Sequence, residues 1–276
     1  SCAQVITVVD DTAPVMTCPD DLTVNCEDDL TVPAVSASDN CDTALDIVYD
    51  ASVVDGSCPQ EKVITRTWTT ADDCGNASSC VQIVTVVDNE APVITCPDDT
   101  TVECLSAGSG ANCIADFFTV IVSTDPSNTG SATATDNCDS PSVSYSDTLT
   151  AGTCPQENVI TRSWTAADAC GNSSSSCDQV ITVVDNTAPT ITCPADVTVD
   201  CEDDSSSAGT GSASATDNCD TDVTVTESDS VAAGTCAQES VITRTWTATD
   251  DCGNNSDCVQ TIAVVDDEAP VISCPA

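Results

Sequence analysis

The chain has 276 residues, with 46 acidic side chains against four basic ones, no histidine and 21 cysteines. A net charge of −42 excludes nucleic acid, whose phosphates need a basic surface, and argues equally against direct contact with an anionic membrane. Without histidine or any C-x2-C pair zinc is a poor fit, so the cysteines point to disulfides and an oxidising, extracellular compartment.

The sequence repeats itself. Units open on Ala-Pro followed by Cys-Pro, at Pro14, Pro92 and Pro189, and again at Pro270. A first strand is expected over Leu22–Cys26, with TVEC and VTVDC as its counterparts, and a second over Thr31–Ser38, ending in Asp39-Asn40-Cys41-Asp42. A third strand (LDIVYD, VSYSD or VTVTES) leads to a loop carrying Cys58, Cys154 or Cys236. Then comes VITRTWTTADDCGN (Val63 to Asn76), repeated from Val159 and Val241, whose β-branched and aromatic residues suit a half-buried strand. Its Cys-Gly-Asn end makes a tight loop, because Gly and Asn tolerate positive φ. A last strand, CVQIVTVVD in the first unit, closes each repeat.

Short strands with frequent turn signals predict an all-β chain of tandem, immunoglobulin-like antiparallel β-sandwiches, disulfide-rich and set out as an elongated array, with about seven strands each. Residues 1–10 read as the last strand of a preceding repeat, 11–88, 89–185 and 186–266 as three whole repeats, and 267–276 as the start of another. Residue 1 thus falls inside a unit, and the chain reads as a window on a longer array. Repeat 2 carries an insert at about 105–128.

The Cys-Pro opening, the x-A-x-D-x-C-G-N loop and the closing C-x-Q-x-x-x-V-V-D resemble the HYR (hyalin repeat) family, especially the cysteine-rich HYR-like repeats of very long bacterial surface proteins. The likeness covers all three repeats. It departs in having six cysteines per unit, where the ordinary HYR module has fewer.

Six cysteines allow fifteen pairings. In a sandwich, those at one pole lie close enough to bond, and bridged Cα atoms must be within about 7 Å. This reasoning predicts Cys18–Cys80, Cys26–Cys58 and Cys41–Cys74; Cys96–Cys177, Cys104–Cys154 and Cys138–Cys170; Cys193–Cys258, Cys201–Cys236 and Cys219–Cys252. Cys2 and Cys274 are left for partners outside. Cys113, in the insert beside Phe117 and Phe118, is expected to serve as a contact between identical chains, with an extended hairpin folded on its own domain as the alternative.

Acidic residues collect ahead of each Ala-Pro, at Asp10, Asp11, Asp88, Asn89, Glu90 and Asp185, much as in the proline-ended linkers of cadherins. The loops of the next repeat add Asp39, Asn40, Asp42, Asp72, Asp73 and Asn76; then Asp136, Asn137, Asp139, Asp168 and Asn172; then Asp217, Asn218, Asp220, Asp250, Asp251 and Asn254. These hard oxygen donors suit Ca2+, which takes six to eight, although Asp and Asn also make turns unaided. Arg66, Arg162 and Arg244 precede Trp68, Trp164 and Trp246 by two residues and read as core-edge pairs. Asn76, Asn172 and Asn254 also fall in N-x-S sequons. With no histidine and one lysine, Lys62, catalysis has little to work with. The expected function is a structural segment of a long extracellular protein, a stalk or multi-chain filament that supports adhesion. The alternative is an adhesin module whose loops bind a glycan or protein directly.

Overall fold

A computed structural model describes residues 2–104 and 124–273. Cys113, Phe117, Phe118 and Cys274 lie outside the described residues. By its contacts the chain divides into two compact units: Ser1–Cys96 with Ala132–Tyr145 and Ser163–Cys177, and Pro97–Ser131 with Ser146–Arg162 and Asp178–Ala276. Each unit takes part of the second repeat.

The regular structure of the described residues is almost all strand. Repeat 1 contributes β1 (Val15–Thr17), β2 (Leu22–Asn25), β3 (Ser36–Ser38), β4 (Ile47–Asp55), β5 (Lys62–Ala71) and β6 (Ala77–Val87). Repeat 2 follows with β7 (Val93–Thr95), β8 (Thr100–Glu103), α1 (Pro126–Thr129), β9 (Thr133–Thr135), β10 (Ser142–Ala151), β11 (Asn158–Ala167) and β12 (Cys177–Val184). Repeat 3 gives β13 (Thr190–Thr192), β14 (Val197–Asp200), α2 (Ser207–Thr210), β15 (Ser214–Thr216), β16 (Thr224–Ala233), β17 (Ser240–Thr249) and β18 (Asn255–Val265). Among the described residues each repeat therefore shows six strands, against the seven or so expected. The second is shorter than Thr31–Ser38 because Pro33 has no N–H to give a ladder.

Four strands of each repeat form one sheet, in the order β2-β6-β5-β4, and two form another, β1-β3; the later repeats do the same. The expected all-antiparallel ladder holds except at one edge, where β2 runs parallel to β6 with Leu22 opposite Val84. The chain leaves β1 and crosses to the larger sheet without a hairpin, so β2 enters beside the last strand in the same sense. Asp21 fixes that entry by accepting a hydrogen bond from Ile83 N at 2.7 Å. Asp99 and Asp196 repeat the bond with Val180 N and Thr261 N.

Alternation decides what is buried. Arg66, Trp68 and Thr70 of β5 and Cys80, Gln82, Val84 and Val86 of β6 face inward, while their neighbours are more exposed. In the second unit the core is Cys104, Ile160, Ile181 and Val183, with Val102 and Cys219 packed on it.

Candidate cation site and repeat-to-repeat cross-links

The x-D-x-C-G-N loop has one shape in all three repeats. Asp72 Oδ1 accepts hydrogen bonds from Cys74 N and Asn76 N at 3.0 and 2.8 Å, and Asn76 donates Nδ2 to Asp72 Oδ2. Asp168 and Asp250 repeat this with Asn172 and Asn254. Gly75, Gly171 and Gly253 turn the loop at φ of 91°, 95° and 92°, where a Cβ is strained.

The same amide reaches the linker. Nδ2 of Asn76, Asn172 and Asn254 donates to the backbone carbonyls of Asp10, Asp88 and Asp185 at 3.2, 3.1 and 3.0 Å. The sequon nitrogen is thus engaged in the fold, which accounts for the asparagine without a glycan. A second loop is held by Asp39, whose Oδ1 accepts from Cys41 N and Asp42 N. Asp136 and Asp217 are alike.

Three acidic groups converge as a result. Carboxylate oxygens of Asp10, Asp39 and Asp72 lie within 4.8 Å of one another, as do those of Asp185, Asp217 and Asp250, and Asp88 meets Asp136 within the same distance. Oδ2 of Asp39, Asp136, Asp185 and Asp217 is buried and has no hydrogen-bond partner. Buried carboxylates this close cannot all stay charged without a proton or a cation. Burial first, then the charges of Asp217 and Asp250, pushes Asp185 up to about 6, against a backbone N–H of Thr187. Burial and the charges of Asp136 and Asp168 push Asp88 up as well. Asp168 is also pushed up by burial, but hydrogen bonds from Asn172, Gly171 and Cys170 outweigh it and hold the carboxyl below its ordinary value. The donor set is oxygen only, which suits a hard cation such as Ca2+. Glu103 also lies near Asp185 but is already bonded to Asn186 N and Thr187 Oγ1, and the adjacent Cys104 and Cys219 are bonded to each other.

Other expected ligands do different work. Asp42, Asp139 and Asp220 accept backbone N–H bonds from Asp73, Ala169 and Asp251. Asn40 points its amide at Cys41 Sγ, Asn137 at Cys26 Sγ and Asn218 at Cys104 O. Asp11, Asp73, Asn89, Glu90 and Asp251 are exposed.

Cys18–Cys80, Cys96–Cys177 and Cys193–Cys258 join the start of each repeat to its last strand. The remaining expected pairs are corrected. Cys26 bonds to Cys138 and not Cys58, and Cys58 to Cys170. Cys104 bonds to Cys219 and not Cys154, and Cys154 to Cys252. Cys41–Cys74 and Cys201–Cys236 do not form, and Cys138–Cys170 and Cys219–Cys252 give way to bonds between repeats. The next repeat supplies the partner instead, with Cα–Cα distances of 5.0–5.8 Å across these four bonds.

The arginines are structural. Arg162 makes a two-pronged pair with Asp147 at 2.8 Å, and Arg244 with Asp229 at 2.7 and 2.8 Å. Among the described residues Arg66 has no such carboxylate, and it donates to Leu30 O, Thr31 O and Gln82. Sequence reasoning missed the glutamine of the closing C-x-Q motif. Buried Gln82, Gln179 and Gln260 donate Nε2 to the carbonyls of Asp20, Asp98 and Ala195. An amide set between inward-facing Cys and Val or Ile positions was the available signal.

The description "HYR-like domain with 4 cysteines" matches residues 14–86 and 189–264, more than half of the chain and within the first and third repeats. Among solved structures, the protocadherin gammaB4 extracellular domain aligns over 94% of this chain and 50% of its own, at 14% identity and a TM-score of 0.31. Mouse cadherin-23 EC22-24 aligns over 93% and 100%, at 14% identity and 0.30. Drosophila N-cadherin EC1-4 aligns over 90% and 74%, at 14% identity and 0.24. The chain spans about half the length of the protocadherin domain it matches. A comparison with curated proteins finds no match.

Proposed function

This chain belongs to the HYR-like domains with 4 cysteines, and from that premise we propose that it is a non-catalytic spacer in a long extracellular repeat protein, supporting adhesion. Successive repeats are locked together by paired disulfides, and their junctions are neutralised by calcium. The observation that carries this reading is the double cross-link, Cys26–Cys138 with Cys58–Cys170 and Cys104–Cys219 with Cys154–Cys252. A spacer that must hold its repeats in register gains from such a double tie. Seven disulfides among the described residues agree with an extracellular setting. No described helix is long and apolar enough to cross a membrane. Lateral association of identical chains into a filament is supported by the sequence around Cys113, Phe117 and Phe118.

Disulfide mapping of the oxidised chain tests the spacer, which fails if Cys26 is recovered with Cys58. Isothermal calorimetry at neutral pH tests the cation. Calcium is expected to bind, and Asp217→Asn with Asp250→Asn to remove the site built on Asp185. Equal heats for that variant and the parent would refute the assignment.

A further inference from the structure

Five described cysteines carry no bond, and four of them fall into two matched pairs. Cys41 and Cys74 occupy in repeat 1 the places that Cys138 and Cys170 hold in repeat 2 and Cys219 and Cys252 in repeat 3. Cys201 and Cys236 occupy in repeat 3 the places that Cys26 and Cys58 hold in repeat 1 and Cys104 and Cys154 in repeat 2. Wherever both kinds of pair are available, the structure joins them in one order: the cysteine after the first strand of the larger sheet goes to the Asp-Asn-Cys loop, and the cysteine before the VIT strand to the Cys-Gly-Asn loop.

The unbonded pairs already have the bonded shape. Cys41 N donates to Asp39 Oδ1 at 2.9 Å, as Cys138 N does to Asp136 and Cys219 N to Asp217. Cys74 N donates to Asp72 Oδ1 at 3.0 Å, as Cys170 N does to Asp168 at 2.9 Å. At the other pair, Cys201 N donates to Val265 O at 2.8 Å, matching Cys104 N to Val184 O at 3.0 Å. Cys236 O accepts from Glu239 N at 3.2 Å, as Cys58 O and Cys154 O accept from Glu61 N and Glu157 N at 3.1 Å. Cys41 and Cys74 together line a cavity of about 280 Å³ with Val8, Val9 and Asp10.

We propose that Cys41 with Cys74 and Cys201 with Cys236 are the two complementary halves of a double disulfide, each receiving the opposite pair of a further repeat of this type. This rests on the spacer reading and deepens it: the means of joining repeats is written into both faces of every unit. Forming each bond removes two protons and two electrons from two thiols. A small disulfide oxidant such as oxidised glutathione takes them up and leaves as two thiols.

The test extends the whole chain at its C-terminus with a copy of residues 196–266, so that 267–276 becomes the opening of a fourth repeat. After oxidation in a glutathione buffer and blocking of residual thiols, mass spectrometric mapping is expected to find Cys201 bonded to the copied Cys219 and Cys236 to the copied Cys252. Mixing unlabelled with 15N-labelled protein separates the sources, since a bond within one chain keeps one label and a bond between copies scrambles it; either supports the pairing. Recovery of Cys201–Cys236, or of both as blocked thiols beside intact Cys104–Cys219 and Cys154–Cys252, overturns this proposal and leaves the spacer standing. Recovery of Cys104–Cys154 instead overturns both. The unextended chain supplies a second reading. Cys41, Cys74, Cys201 and Cys236 should be blocked as thiols or joined between copies in the stated order, and a Cys41–Cys74 bond refutes the proposal.

Discussion

Ala51 shows what one side chain does in this fold. It lies opposite Arg66 on the neighbouring strand, as Asp229 lies opposite Arg244. Arg66 is only 3% exposed, and its Nε is buried with no hydrogen-bond partner. Ala51→Asp is therefore expected to stabilise by about 1 kcal/mol, because Asp229 at the same place is partly exposed and solvent weakens such pairs. Calorimetry checks it through a rise in the midpoint of the first repeat's unfolding. The reverse change, Asp147→Ala, takes the carboxylate from a buried guanidinium and should cost about 2–3 kcal/mol. Asp185 gives a pH signature. Its carboxyl keeps its proton up to about 6 in the folded chain and is ionised above about 4 when unfolded. Without metal, folding takes up a proton between those values. Its contribution is full below about 4 and lost as pH rises through about 6. Asp185→Asn should flatten that slope in chelator, and parent and variant stability measured from pH 4 to 7 decides. A calcium ion held there, as proposed, would compete with the same proton, so the parent's affinity should rise across this window.

Two glycine positions separate two causes of strain among the elements. Gly130 ends α1 at φ 94° and ψ 153°, a region essentially confined to glycine, and an added Cβ would lie 2.9 Å from Pro97 Cβ. Gly75 has φ 91° with nothing within 4 Å of an added Cβ. Gly75→Ala is expected to cost about 1–2 kcal/mol from the backbone alone, and Gly130→Ala distinctly more. Urea unfolding of both variants ranks them, and equal costs would show that Pro97 yields. The VITRTW strand and the Cys-Gly-Asn loop were legible in sequence because alternation and loop chemistry are local. The single turns α1 and α2 were not. They span four residues each, too few for a helical period, and α1 is held by Asp125, whose side chain accepts from Ser127 N. The parallel edge of β2 was also hidden, since strand direction depends on a crossover that alternation does not record.

At the scale of the whole molecule, the cysteines mark how far sequence reasoning reached. Cys18–Cys80 follows from two strand ends in one repeat. Cys26–Cys138, separated by 112 residues, does not, because it depends on which pole the next repeat presents. Closing a loop that long constrains the unfolded chain by about 4–5 kcal/mol, and the second bond of each pair adds less, since the first has already shortened the loop. Replacing Cys58 and Cys170 by serine should lower the unfolding midpoint while every other bond persists, as calorimetry with disulfide mapping would report. The three bonds internal to the repeats have a mechanical consequence. Tension applied to the two ends can pass from Cys18 to Cys80 through sulfur, along 16 residues to Cys96, across to Cys177, along 16 more to Cys193, and out at Cys258. Each backbone stretch on that route extends to about 55 Å at most. Most of the folded chain lies off the route and carries no pull. Once residues 80–96 and 177–193, which include most of β6 and all of β12, are drawn straight, a tether of this kind should lengthen no further until a reductant is added, whereupon the hidden length pays out.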